Sequence, residues 1–100
     1  MKNTVNRQYY VYIMASEKNG TLYTGFTSDL IKRVYEHKHN LKGKFTQKYF
    51  VHILVYYEIY TDSYSAICRE KVVKRWKRAW RIALVNKENE DWRDLYKELL

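Results

Sequence analysis

The sequence contains no proline, only three glycines and a single cysteine in 100 residues. One cysteine, Cys68, excludes an internal disulfide and a zinc site built from several cysteines, and it favours a reducing compartment. The shortage of glycine and proline argues against a flexible linker between domains. No apolar run approaches the roughly 20 residues of a membrane helix, and the polar residues 1–8 do not resemble a signal peptide. We therefore expect a cytoplasmic protein with no membrane partner.

Acidic residues are scarce relative to basic ones, with 11 Asp and Glu against 19 Lys and Arg, so the formal net charge is +8. An excess of this size attracts polyanions, and nucleic acid is the first candidate. Residues 32–48 and 69–81 are strongly basic with one glutamate each, whereas residues 87–100 are net acidic. Composition alone leaves open the alternative that the charge has no nucleic-acid role.

Three segments are predicted to be strands. Residues 9–15 alternate between two faces, with Tyr10, Tyr12 and Met14 on one of them. The pair Asn19-Gly20 favours a hairpin turn, so residues 21–26 should pair antiparallel with the first strand. Residues 51–60 are the third candidate.

Helices are predicted for residues 30–39, which follow residues competent as N-caps, and for residues 63–76 behind Asp62. Residues 78–85 continue the second helix, with a bend as one possibility. A short helix in residues 91–100 would pack Trp92, Leu95 and Leu99 against the body, whereas residues 40–49 show no period and are expected to form an exposed basic loop. One hundred residues can bury a single core, so the chain should be one domain.

Two tyrosine motifs, a helix arginine and a later glutamate carry a family resemblance. The order and spacing of these residues resemble those of the GIY-YIG nuclease superfamily. They are Tyr10-Val11-Tyr12, Tyr23-Thr24-Gly25, Arg33 and Glu70. The similarity covers about residues 9–84, and it is strongest to short bacterial stand-alone GIY-YIG proteins related to the N-terminal nuclease domain of the excision-repair protein UvrC. The first motif lacks both Gly and Ile, and Thr24 stands where Ile is usual.

The resemblance implies a single GIY-YIG domain over residues 1–100, with a core at 9–84 and a C-terminal helical tail at 86–100. The implied fold is a small α/β (α+β) sandwich, in which a three-stranded antiparallel sheet is flanked by helices. The implied activity is endonucleolytic hydrolysis of phosphodiester bonds in DNA, in repair or processing, with one Mg²⁺ or Mn²⁺ ion. The asparagine that closes the site in larger members has only Asn86 as a distant counterpart.

The resemblance also assigns four catalytic residues. Arg33 would support the phosphate, Glu70 would hold the metal, Tyr23 would orient water or phosphate, and Tyr12 would act as general base. A free phenol has a pKa near 10, so Tyr12 needs neighbouring positive charge to lower its pKa. The alternatives for Glu70 are a structural ion pair with Arg33 or Lys74, or a position on a solvated edge. If the assignment holds, the four side chains should face one cleft.

Other residues are assigned supporting roles. Gly25 would allow close approach of a phosphate, His37 could orient Arg33 or touch phosphate, and Lys74 lies one turn beyond Glu70. The residues expected to contact nucleic acid are Lys32, Lys42, Lys44, Lys48, Lys71, Arg75 and Arg78, with solvated helix faces as the alternative. The second hypothesis for function is a nucleic-acid-binding or ribosome-associated module that keeps the nuclease fold without cutting. A partner protein could supply substrate specificity, and the sequence does not indicate an oligomeric state.

Overall fold

The computed structural model describes residues 7–41 and 43–100. Its centre is a three-stranded sheet formed by β1 (Tyr9–Ala15), β2 (Leu22–Thr27) and β3 (Ile53–Tyr60). The strand order is β2-β1-β3, and both pairings are antiparallel. The predicted fold class is thereby confirmed.

The hairpin between β1 and β2 forms at the predicted turn. Asn19 takes a positive φ of 59°, a conformation that asparagine tolerates, and the Gly20 N–H donates to the Glu17 carbonyl over 2.9 Å. The resulting register pairs Tyr12 with Gly25 across the two strands. This register brings both tyrosine motifs side by side in the sheet.

Five helices of the described residues surround the sheet: α1 (Leu30–Lys38), α2 (Lys44–Lys48), α3 (Ser63–Arg75), α4 (Arg78–Glu88) and α5 (Tyr96–Leu99). Asp29 caps α1 by accepting from the Lys32 N–H, and Asp62 caps α3 by accepting from the Ser65 N–H. Both caps satisfy backbone donors that a helix start leaves without partners. Within residues 7–41 and 43–100, no helix has the length and apolar content needed to cross a bilayer.

The alternation in β1 divides the core into two clusters. On one face, Ile13 and Ala15 pack with Val73 of α3 and Val85 of α4. On the other face, Tyr12 and Met14 pack with residues of α1 and with the segment around α5, including Leu30, Val34, Leu95 and Leu99. The helices α3 and α1 therefore cover opposite faces of the sheet.

One expectation about secondary structure requires correction. The segment at residues 40–49 is not entirely loop, because residues 44–48 form α2 around the buried Thr46. The helix expected over residues 63–76 ends at Arg75, and Trp76, with an extended ψ of 148°, forms the bend that was one possibility before α4 begins. In the tail, Trp92 is buried as expected, and the Leu95 N–H donates to the Leu54 carbonyl of β3.

Candidate active site

Tyr12 lies at the centre of the candidate site. It comes from the middle strand of the sheet, and its side chain is completely buried. The phenol lies above Gly25 of β2: a Cβ at residue 25 would come within 2.6 Å of both Cζ and Oη of Tyr12. Glycine is therefore required at residue 25 because the Tyr12 ring packs directly on it. The sequence had suggested another reason, namely close approach of a phosphate.

A chain of hydrogen bonds starts at the Tyr12 hydroxyl. Its oxygen lies 3.1 Å from Nε2 of His37, which is also buried, and Nδ1 of His37 lies 3.2 Å from Oγ1 of Thr46. The Thr46 hydroxyl in turn donates to the Gly43 carbonyl over 3.0 Å. These bonds connect β1, α1 and α2 in one buried polar network beside an otherwise apolar cluster.

Tyr23 lies against both members of the Tyr12–His37 pair. Its ring centroid is 6.2 Å from that of Tyr12 and 5.2 Å from that of His37. On its other side, the ring centroid of Phe45 in α2 lies 6.2 Å away. Tyr23 is partly exposed, so its ring extends from the buried pair toward the surface.

Arg33 lies one helical turn before His37 on α1. Its Nε lies 3.3 Å from Oε1 of Glu36, and the Arg33 side chain remains 35% exposed while that of Glu36 is 11% exposed. A cleft of about 260 Å³ opens beside the pair. The residues lining it are Thr27, Ser28, Asp29, Lys32, Arg33 and Glu36.

The pKa shifts in the cluster follow from burial first and charge second. Burial raises the pKa of Tyr12 well above its usual value near 10, Tyr23 adds to the rise, and the Arg33 charge lowers it only in part. Burial also lowers the pKa of His37, and Arg33 lowers it further, with Glu36 opposing. The charge of Arg33 lowers the pKa of Tyr12 as expected, but burial outweighs it, so the net pKa is raised rather than lowered. At neutral pH the pair consists of a neutral phenol and a neutral imidazole.

Glu70 lies on α3, which packs against β1 and β2 from the face opposite to α1. Its carboxylate forms an ion pair with Lys74 over 2.7 Å, and the side chains are 12% and 51% exposed. The ion pair with Lys74 is one of the structural alternatives that the sequence left open. The structure brings Tyr12, Tyr23, Arg33 and His37 together, and the convergence of Glu70 with them stays a prediction.

The residues expected to contact nucleic acid are distributed over several elements. Lys32, Lys44, Lys48, Lys71 and Arg75 are exposed on α1, α2 and α3, and Lys42 lies outside the described residues. Arg78 is also exposed, but its guanidinium donates to the Asn19 carbonyl and so attaches α4 to the hairpin. Lys48 lies over the Tyr49 ring, with Nζ 5.4 Å from the ring centroid.

Three residues of the site were missed by the sequence analysis. Thr46 is in the segment expected to be a loop, and Phe45 beside it packs near Tyr23. Glu36 did carry a signal, because an acidic residue three positions after Arg33 on a helix is placed to pair with it. Asn86, considered for the far side of the site, instead accepts from Nε1 of Trp92 over 2.6 Å and so holds the tail.

Comparison with known proteins identifies the family. Residues 8–89 match the model of the GIY-YIG catalytic domain. The chain belongs to the GIY-YIG family. This confirms the resemblance that the tyrosine motifs indicated.

Relatives of this GIY-YIG protein are of similar length. A UPF0213 protein of Staphylococcus saprophyticus is 32% identical over 79 residues, which cover 79% of this chain and 95% of the relative. A UPF0213 protein of Clostridium perfringens is 32% identical over 80 residues, covering 80% and 85%. The solution structure of a UPF0213 protein from Bacillus halodurans is similar with a TM-score of 0.55 and 28% identity, over 90% of this chain and 95% of that one. The chain is therefore similar to short stand-alone GIY-YIG proteins.

Proposed function

We propose that this GIY-YIG protein is an endonuclease that hydrolyses phosphodiester bonds, with DNA as the favoured substrate and a divalent ion, Mg²⁺ or Mn²⁺, as cofactor. DNA repair or processing is the proposed setting. The observation that carries the proposal is the hydrogen bond between Tyr12 and His37, which lies beside Arg33 and behind Tyr23. A buried proton donor and acceptor next to a partly exposed guanidinium is an arrangement that suits hydrolysis of a phosphodiester.

Proton transfer is assigned to Tyr12 and His37 together. The Tyr12 oxygen takes a proton from the attacking water while the hydroxyl proton of Tyr12 moves to Nε2 of His37. The water oxygen forms a bond to phosphorus, the bond from phosphorus to the leaving oxygen breaks, and that oxygen takes a proton from solvent. Imidazolium His37 then returns its proton to solvent. The raised pKa of Tyr12 is compatible with this route, because no free phenolate is needed at any step.

Arg33 is assigned to the phosphate. Its side chain is about one-third exposed beside the cleft, and a guanidinium fork can bind two phosphate oxygens. When a phosphate binds there, a phosphate oxygen would replace the Glu36 carboxylate as the partner of the Arg33 guanidinium. Because Tyr12 is completely buried, substrate binding must also move the side chains that cover it, so that water reaches Oη.

Glu70 is the residue proposed to hold the ion. It supplies one hard oxygen donor with 12% of its side chain exposed, and its partner Lys74 is half exposed on a flexible stem that can move aside for an ion. This donor suits Mg²⁺, which commonly binds one or two carboxylates together with water and phosphate oxygens. When bound, the ion would stabilise negative charge that develops on the phosphate and the leaving oxygen.

The proposal is tested with purified protein and supercoiled, branched and single-stranded DNA in the presence of Mg²⁺ or Mn²⁺. Cleavage should require the metal and should fall at least about 100-fold in Arg33→Gln and in Glu70→Gln. Glu90→Gln, a change at an exposed glutamate in the tail, is the matched control and should cut as the wild type does. Cleavage that persists unchanged in both variants would show that it arises from a contaminant.

The second candidate is a nucleic-acid-binding module that does not cut. The complete burial of the Tyr12 hydroxyl favours it, because a base closed off from water is inactive in the conformation observed. Salt-dependent binding of DNA without metal-dependent cleavage, on all three DNA forms, would support this module over the nuclease.

A further inference from the structure

The hydrogen bond between Tyr12 and His37 can run in either of two directions, depending on which ring nitrogen of His37 carries the proton. Only a bare Nε2 can accept the Tyr12 proton, as the proposed hydrolysis requires. The tautomer of His37 therefore decides whether the pair can work. A third residue, distinct from Tyr12 and His37, can fix this tautomer.

Thr46 supplies the information needed to assign the tautomer. A threonine hydroxyl has one hydrogen, and a carbonyl oxygen can only accept, so the 3.0 Å bond to Gly43 uses the Thr46 hydrogen. If the Thr46 hydrogen is donated to the Gly43 carbonyl, which also accepts from the Gln47 N–H, the 3.2 Å contact between Thr46 Oγ1 and Nδ1 of His37 is donated by the Nδ1–H. A neutral imidazole carries one N–H, so Nε2 is bare and accepts from the Tyr12 hydroxyl.

The surroundings of Thr46 hold the hydroxyl in this position. Thr46 is 1% exposed, and its acceptor Gly43 has a φ of 81°, which a glycine adopts without strain. A Cβ at residue 43 would also lie 2.9 Å from Thr46 Oγ1. The turn that starts α2 thus presents a carbonyl to the Thr46 hydroxyl.

We infer that Thr46 is a positioning residue, whose hydroxyl fixes His37 in the Nδ1–H tautomer and thereby directs the Tyr12 proton to Nε2. The catalytic part of this inference rests on the proposed nuclease function, whereas the tautomer itself does not. Thr46 lies between Lys44 and Lys48 on the same short helix. The residue that sets the proton path and two of the lysines proposed to contact nucleic acid therefore belong to one element.

The first test is spectroscopic and needs no activity. Imidazole ¹⁵N chemical shifts of His37, measured at neutral pH in the wild type, should show a protonated Nδ1 and a bare Nε2. Thr46→Ser keeps the hydroxyl and should keep this pattern, whereas Thr46→Val removes the acceptor and should shift His37 toward the Nε2–H form. Thr61→Val, at an exposed threonine, is the matched control and should leave the pattern unchanged.

The second test is kinetic. With DNA and Mg²⁺, Thr46→Val should lower kcat by about 10–100-fold, the usual range for loss of a group that orients a functional histidine. KM should change by less than about twofold, and Thr46→Ser should stay close to the wild type. Among the residues that the structure describes, the titratable groups that face His37 are Tyr12, Tyr23, Arg33 and Glu36, and all of them are retained in both variants.

The outcomes separate this inference from the proposed function. A wild type that cuts nothing removes the nuclease, while the ¹⁵N patterns of the wild type and Thr46→Val together still decide the role of Thr46. A protonated Nε2 in the wild type, or an unchanged tautomer in folded Thr46→Val, overturns the inference. If Thr46→Val has an altered His37 tautomer but a normal kcat, the catalytic part of the inference is overturned. If Thr46→Val does not fold, the wild-type and Thr46→Ser spectra still decide the assignment.

Discussion

The phenol of Tyr12 lies directly above Gly25, its partner across the β1–β2 pair, and leaves no space there for a methyl group. A methyl at residue 25 would lie 2.6 Å from the ring carbon and the hydroxyl oxygen that it faces. The glycine of the second motif and the tyrosine of the first are therefore complementary in shape. Their association in one sequence pattern has a steric cause as well as a chemical one.

The first prediction concerns Gly25→Ala. The variant should be less stable by about 1–3 kcal/mol, the usual range for overpacking, because the Tyr12 ring must move to make room for the methyl group. Urea unfolding of Gly25→Ala in the wild-type and Tyr12→Leu backgrounds measures this. The cost should be smaller in the Tyr12→Leu background, where leucine lacks the outer end of the ring. An equal cost in both backgrounds would show that the Tyr12 ring is not responsible.

The second prediction follows from His37. Its pKa is lowered in the folded protein from an unfolded value near 6.5, so in the interval below 6.5 the unfolded chain binds a proton that the folded chain does not. Stability therefore rises with pH across that interval and is lost on acidification from about pH 7 toward about pH 5. His37→Gln, which can still bond to Tyr12 and Thr46, should flatten this dependence.

Urea unfolding at several pH values between about 5 and 7.5 tests the slope. His39→Gln, on the exposed side of the same helix end, is the control for the change of residue type. Identical pH slopes in the wild type and His37→Gln would contradict the prediction.

The third prediction concerns the carboxylate of Glu58 on β3. It is bonded twice by Arg69, through Nε at 3.0 Å and Nη2 at 2.9 Å, and it also accepts from Tyr56 and Tyr60. Burial raises the pKa of Glu58, but the bonds from Arg69 and the two tyrosines outweigh it and lower the pKa overall. The stabilisation is therefore present above the unfolded pKa near 4.5 and is lost as pH falls through the folded value.

Arg69→Met should lower the free energy of unfolding by about 1–3 kcal/mol at neutral pH, because a largely buried carboxylate loses its charged partner. The difference in free energy of unfolding between Arg69→Met and the wild type should become smaller at about pH 4. Arg93→Met, which breaks the more exposed ion pair with Glu98, is the control and should cost less. A difference that is constant with pH would show that Arg69 acts through packing on Trp76 rather than through Glu58.

Local signals accounted for most of the fold. The period-two strand at Tyr9–Ala15, the turn at Asn19 and the caps Asp29 and Asp62 depend on neighbours in sequence, and the structure confirms each of them. The helix α2 could not be predicted in this way, because its position depends on Thr46 being buried against His37. The contact between Thr46 and His37 joins two segments of the chain, so it leaves no local signal. The segment around Thr46 also has no helical spacing of apolar residues.

The candidate site was predictable in its residue types but not in its proton chemistry. The motif spacing indicated Tyr12, Tyr23 and Arg33, but the bond between Tyr12 and His37 joins residues 25 positions apart. The direction of the Tyr12 pKa shift depends on burial, which only the folded chain determines. The position of Glu70 relative to the tyrosines likewise depends on how α3 packs across the sheet, which no local pattern specifies.

The last prediction tests the proposed nucleic-acid surface on α2. Lys44 and Lys48 are exposed there, and Phe45 connects their helix to Tyr23 of the site. If both lysines neutralise phosphates of a duplex, Lys44→Gln/Lys48→Gln should weaken binding. The slope of log K against log salt should then decrease by about 0.9 for each phosphate that is no longer neutralised. Fluorescence anisotropy with a labelled duplex at several salt concentrations measures this.

The double change Lys87→Gln/Lys97→Gln removes the same charge from exposed lysines in the net acidic C-terminal part of the chain. Both double variants therefore lower the net charge of the protein by the same amount. If binding depends only on net charge, the two salt slopes should fall together, and the α2 surface would have no special role. A smaller slope in the α2 variant alone would place the phosphates at α2, the helix that carries Thr46 and packs near Tyr23.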